Sequence, residues 1–92
     1  MVAKEAIFLS SNEKLIAKFQ KEPLPREVNL DELLKYLEIF GFTVDRGRGK
    51  GSHCMVFHDK MKYPFPIPSK NGKTVSFVYL KELNKIIKNM ED

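Results

Sequence analysis

The chain has 92 residues, 42% hydrophobic and 30% charged, which is the composition of one small globular domain rather than of a disordered segment. Its net charge of +4 points to anionic partners, and its single cysteine, Cys54, excludes an intramolecular disulfide and suits a reducing compartment. No apolar run approaches the roughly 20 residues of a membrane span, and Met1 to Ser10 is too short and too charged for a secretory signal, so a cytoplasmic protein is expected.

Ser10-Ser-Asn-Glu13 has the form of a capping box, with Ser10 as N-cap and Glu13 three residues on. Leu15, Ile16 and Phe19 then mark a short amphipathic helix, which Pro23 and Pro25 stop. Pro23-Leu-Pro-Arg26 is a stiff connector. A second helix follows with Asn29 as its cap and Glu32 reaching back from the third helical position. Its buried stripe is Leu30, Leu33, Leu34, Leu37 and Phe40. Gly41 ends it, because glycine enters the left-handed region without a Cβ penalty.

Phe42 to Arg46 reads as a first strand and His53 to His58 as a second, both rich in residues that suit a pleated surface. Tyr63-Pro-Phe-Pro-Ile-Pro68 reads as a third. Proline at every second position leaves one side of a strand without donors, so Pro64, Pro66 and Pro68 form a bare outer edge while Phe65 and Ile67 pair inward. An extended polyproline-like loop is the alternative for this segment. Asn71-Gly72 marks a turn, Ser76 caps a last helix, and Tyr79, Leu83, Ile86, Ile87 and Met90 form its buried stripe. The expected order is helix, helix, strand, strand, strand, helix: an α+β domain with a three-stranded antiparallel sheet and helices on one face.

The charge is concentrated in the middle of the chain. Residues 41–75 carry seven Lys/Arg against two Asp/Glu, whereas residues 1–40 carry six against seven and residues 76–92 carry three of each. Within that segment Arg46-Gly-Arg-Gly-Lys-Gly-Ser-His53 alternates cations with glycines and ends on a histidine. Bare backbone lets amide groups approach an anion, and Arg46, Arg48 and Lys50 can hold it. The pattern is neither a nucleotide-binding P-loop nor a dinucleotide turn, since Gly51-Ser52 precedes a strand rather than a helix. Its bland reading is a flexible hairpin loop.

His53 stands where this loop becomes a strand, and histidine exchanges protons near neutral pH. Cleavage of RNA needs a proton taken from a 2′-OH, a proton given to the 5′-oxygen, and cations around the charged phosphorane. His53 with Arg46, Arg48 and Lys50 supplies much of that set; the alternative is a structural histidine at a strand start. His58, five residues on, falls on the other face of a regular strand. Cys54 and His58 share a face but lie about 13 Å apart along a strand, so they form no local zinc site or Cys–His pair. Lys81, Lys85 and Lys88 line one face of the last helix and read as its solvated side.

A helix ending in Leu-Glu-Ile-Phe-Gly-Phe, a basic glycine loop ending in Gly-Lys-Gly-Ser-His and a strand Met-Val-Phe-His together form a pattern. An apolar-proline strand leading to Tyr-Leu-Lys-Glu-Leu-Asn-Lys-Ile-Ile completes it. Over about residues 29–90 the chain resembles the HicA family of toxins, small mRNA interferases with a double-stranded-RNA-binding-like α-β-β-β-α fold. Residues 1–25 are then an N-terminal helical extension to a HicA-like core. The resemblance implies metal-independent cleavage of single-stranded mRNA, with His53 catalytic and no cofactor. Arg46, Arg48, Lys50, Gly51 and Ser52 would be RNA-binding. It also implies a HicB-type antitoxin partner that covers the site, forms an oligomer with the toxin and joins in repressing the operon. Many members carry a second histidine after the first, where this chain has Cys54. A non-catalytic RNA-binding module on the same fold is the alternative, and a protein that meets an acidic partner through its basic face is a third reading.

Overall fold

The computed structural model describes residues 11–46 and 53–90; of His53 the backbone alone is described. It is an α+β arrangement. In chain order it runs α1 (Ser11–Gln20), β1 (Glu27–Asn29), α2 (Leu30–Ile39), β2 (Thr43–Asp45), β3 (His53–Phe57), β4 (Phe65–Pro68), β5 (Thr74–Ser76) and α3 (Phe77–Met90). The strands form two antiparallel sheets, β2-β3-β4 and β1-β5. The second sheet is the main departure from the expected order, which had neither β1 nor β5. Val28 lies opposite Val75, both buried, and the ladder continues past the strand ends through Leu30 N–H to Lys73 O and Phe77 N–H to Arg26 O, each 2.8 Å. This short sheet ties the start of α2 to the start of α3.

α1 is described from Ser11; Ser10, the expected cap, lies outside the described residues. Only Phe19 of α1 is fully buried, with Leu15 and Ile16 packed against the core. Phe19 meets the Tyr36 ring edge-on, centroids 5.1 Å apart. Burying one such side chain contributes about 1.5–3 kcal/mol. A chain of hydrogen bonds closes the junction of the three helices. Gln20 Nε2 donates to Tyr36 Oη (3.0 Å), Tyr36 Oη donates to Asn84 Oδ1 (2.6 Å), and Asn84 Nδ2 donates to the Phe19 carbonyl (2.9 Å). That last bond satisfies a carbonyl in the final turn of α1, which has no partner within the helix.

α2 begins as its sequence predicts, with Asn29 Oδ1 accepting from the Glu32 amide at 3.0 Å. Glu32 does not reach back to complete a capping box; its carboxylate takes Lys18 Nζ of α1 at 2.8 Å, because α1 lies close enough to supply a cation. Gly41 follows the C-cap Phe40 with φ +91°, and the Phe42 amide donates to Leu37 O. Asn71 and Gly72 both have positive φ, and Lys73 N–H bonds Lys70 O at 2.9 Å, the geometry of a type I′ turn. Ser76 Oγ accepts from the Val78 amide (3.3 Å) at the start of α3. The buried stripe of α3 is Leu80, Leu83 and Ile87, with Tyr79, Ile86 and Met90 half-buried beside it. Leu80 was missing from the expected stripe.

In the larger sheet, Val44 pairs with Val56, Val56 with Phe65 and Cys54 with Ile67; Cys54, Val56 and Ile67 are fully buried under the helices. The alternate positions, Thr43, Asp45, Phe57 and Pro66, are exposed, so helices cover one face only. β4 is an edge strand, and Phe65 and Ile67 pair onto β3 as the proline spacing requires. No helix among the described residues is long and apolar enough to cross a membrane.

Candidate nucleic-acid interface

β2 and β3 are antiparallel neighbours in register Thr43↔Phe57, Val44↔Val56 and Asp45↔Met55, so residues 46–52 join adjacent strand ends. Arg48, Lys50, Gly51 and Ser52 belong to that connection and lie outside the described residues. His53 is the first residue of β3 and pairs with Pro68 of β4, at the same end of the sheet. In strand register it has the parity of Met55 and Phe57, opposite to that of the core residues Cys54 and Val56. Cys54, which follows His53, is a buried free thiol, 1% exposed and packed in the core.

Arg46 is exposed at the foot of the connection, and its Nη1 donates to Asp31 Oδ1 in the first turn of α2 at 2.9 Å. Both side chains are more than half exposed, and an ion pair of that kind contributes at most about 1 kcal/mol. Giving up the Asp31 contact for another anion therefore costs little.

An open groove of about 450 Å³ runs beside this pair, lined by Asp31, Leu34, Lys35, Glu38, Val44 and Arg46. Four of these residues fall at i, i+3, i+4 and i+7 of α2 and so share one stripe of the helix facing β2. Asp31, Lys35 and Glu38 were not singled out from the sequence, where they read as the solvated side of an amphipathic helix. Their relation to Arg46 depends on how α2 packs against β2.

His58 has a different place from the one its sequence position suggests. β3 ends at Phe57, and His58 turns back to the end of α2. Its Nδ1 accepts from the Lys60 amide (3.0 Å), which assigns the proton to Nε2, and Nε2 lies 3.0 Å from the Phe40 carbonyl that it then donates to. The ring also packs edge-on against Phe42 at 5.0 Å. Both nitrogens are occupied, so His58 is a fastening between α2 and the sheet. Among the described residues no group of three or more His, Cys, Asp or Glu is placed to hold a metal ion. Lys81, Lys85 and Lys88 are exposed on α3, with Lys85 3.9 Å from Glu82.

Compared with protein-family models, with curated proteins and with solved structures, the chain matches none.

Proposed function

We propose that this chain is a HicA-type toxin: a cytoplasmic, metal-independent endoribonuclease on a double-stranded-RNA-binding-like scaffold that cuts single-stranded mRNA and so inhibits translation. The observation that carries this reading is the β2–β3 connection. A run of three cations and three glycines joins two paired strands and delivers the chain to His53 at the end of the sheet. Single-stranded RNA suits such a site because its 2′-OH and bases are free to adopt the geometry that cleavage needs.

In this reading Arg46, Arg48 and Lys50 bind the phosphate backbone, and Gly51 and Ser52 position the scissile phosphate against backbone amides. The 2′-oxygen attacks the adjacent phosphorus as its proton is removed, and the 5′-oxygen leaves as it gains one. His53 serves one of these transfers, a contribution of roughly 10²–10⁴-fold to rate. The cations stabilise the charge that builds on the phosphorane oxygens. The partners are mRNA and a HicB-type antitoxin, which binds over the basic end and inhibits by covering it.

The test is incubation of purified protein with a long unstructured RNA in EDTA, beside His53→Ala at equal concentration, both shown folded by circular dichroism. Wild type is expected to cut, and the variant to bind RNA but cut at least about 100-fold more slowly. If neither cuts while both bind with steep salt dependence, the chain is a non-catalytic RNA-binding module. If RNA does not bind at all, the basic face serves a protein partner instead.

A further inference from the structure

The groove between α2 and β2 carries chemistry that phosphate binding does not use. It has an apolar floor, Leu34 and Val44, of which Leu34 is 6% exposed. Its rim carries a guanidinium and an ammonium (Arg46, Lys35) together with two carboxylates (Asp31, Glu38). A site for backbone alone gains nothing from carboxylates, which repel phosphate. A site for a base has a use for both signs, because base edges carry acceptors and donors side by side.

The geometry points to a guanine-binding subsite in this groove, reading the base of a nucleotide next to the cleaved bond; this rests on the RNA-cleaving reading above. Guanine is the one common RNA base with two adjacent donors, N1–H and the N2 amino group, which a single carboxylate can accept together. Its N7 and O6 form an acceptor pair that an arginine fork recognises in bidentate fashion. Adenine and cytosine offer a carboxylate one amino group beside an acceptor, and uracil offers one N–H between two acceptors.

The arrangement of the groove fits this polarity. Asp31 engages Arg46 through Nη1 and holds the fork at one end of the groove. A guanidinium has five N–H donors, so the contact leaves others to give. Glu38 stands two turns along α2 from Asp31, about 10 Å away along the helix axis, at the opposite end. Guanine laid over Leu34 and Val44 has N7 and O6 toward Arg46 and N1 and N2 toward Glu38. Asp31 is a positioning residue in this arrangement; Arg46 reads guanine through N7 and O6, and Glu38 reads it through the N1 and N2 donors. Because Arg46 directly precedes the glycine run, a base held here places its own phosphate at the foot of the proposed cleavage loop.

The experiment measures binding of the full chain to 2′-O-methyl decamers of uridine that carry one central guanosine, adenosine or inosine, by fluorescence anisotropy at fixed salt. The methyl group removes the attacking 2′-OH, so affinity is read without cutting. The guanosine decamer is expected to bind about tenfold tighter than the adenosine one, the size of one bidentate base contact. Inosine, which lacks only the N2 amino group, should bind between the guanosine and adenosine decamers. Glu38→Gln, a change at an exposed position, should reduce the guanosine advantage several-fold, leaving the part that Arg46 supplies through N7 and O6, while both decamers still bind. Equal affinities of the wild type for all three decamers overturn the guanine subsite and leave the RNA reading standing. A guanosine preference that Glu38→Gln leaves unchanged also overturns it. Failure of every decamer to bind overturns the RNA reading itself.

Discussion

β3 begins on one histidine and is followed by another, and the chain around the two differs. At the C-terminal end, His58 has one nitrogen on the Phe40 carbonyl, the other on the Lys60 amide, and its ring against Phe42. Both ring nitrogens are thus taken up in holding the end of α2 and the turn after β3. At the N-terminal end, His53 follows directly on a run of glycines and cations that joins two strands. Residue type is the same, so role comes from what the element ends do. One end is tied to the core, and the other adjoins the connection proposed to bind RNA.

The comparison divides substitutions into those that cost stability and those that cost activity. The largest stability loss is expected on the anchored side, at the three-helix junction. Tyr36→Ala removes a fully buried ring, its contacts with Phe19 and Phe40, and the hydroxyl that links Gln20 to Asn84. A loss of about 3–5 kcal/mol is expected in chemical denaturation, a large part of a small domain's total. Tyr36→Phe isolates the hydroxyl and should lose about 0.5–1.5 kcal/mol, because the half-buried Asn84 Oδ1 loses this donor.

His58→Gln comes next. It removes the ring packed on Phe42 and at least one of two hydrogen bonds, so about 1–3 kcal/mol is expected. In a domain of this size that lowers the melting temperature by roughly 4–8 °C per kcal/mol. Gly41→Ala tests the same fastening from the other side. The position has φ +91°, and a Cβ there would stand 3.2 Å from His58 Nε2, so both backbone and ring must shift. More than about 1 kcal/mol should be lost. The smallest of the series is Asn29→Ala, which deletes the acceptor for the Glu32 amide at the α2 start and should cost about 1 kcal/mol. None of these changes should alter RNA cleavage per folded molecule; a parallel loss of cleavage would erase the division between the two ends.

Much of the scaffold was legible in the sequence where a local rule suffices. Asn29 as cap, Gly41 as terminator, the Asn71-Gly72 turn, the Ser76 cap and the proline-marked edge strand each depend on residues within a few positions of one another. What was not legible depends on distance along the chain. β1 and β5 are three residues each and bury one side chain apiece, too little for an alternating pattern. Asn29 is both the last strand residue and the helix cap, so the cap signal masked the strand. The Gln20–Tyr36–Asn84 chain joins residues 16 and 48 positions apart, and Glu32 was drawn from its own helix end by Lys18, 14 residues earlier. The candidate site divides in the same way. Its loop motif was readable as a run, whereas Asp31, Lys35 and Glu38 join Arg46 only through the packing of α2 on β2.

The most direct test crosses the two histidines in one pair of assays, a thermal melt and RNA cleavage in EDTA under conditions where each protein is folded. His53→Ala should melt within about 0.5 kcal/mol of wild type and fail to cut, and His58→Gln should melt lower yet cut at the wild-type rate per folded molecule. A folded His53→Ala that still cuts, or a folded His58→Gln that does not, would contradict the assignment of chemistry to one end of β3 and fastening to the other.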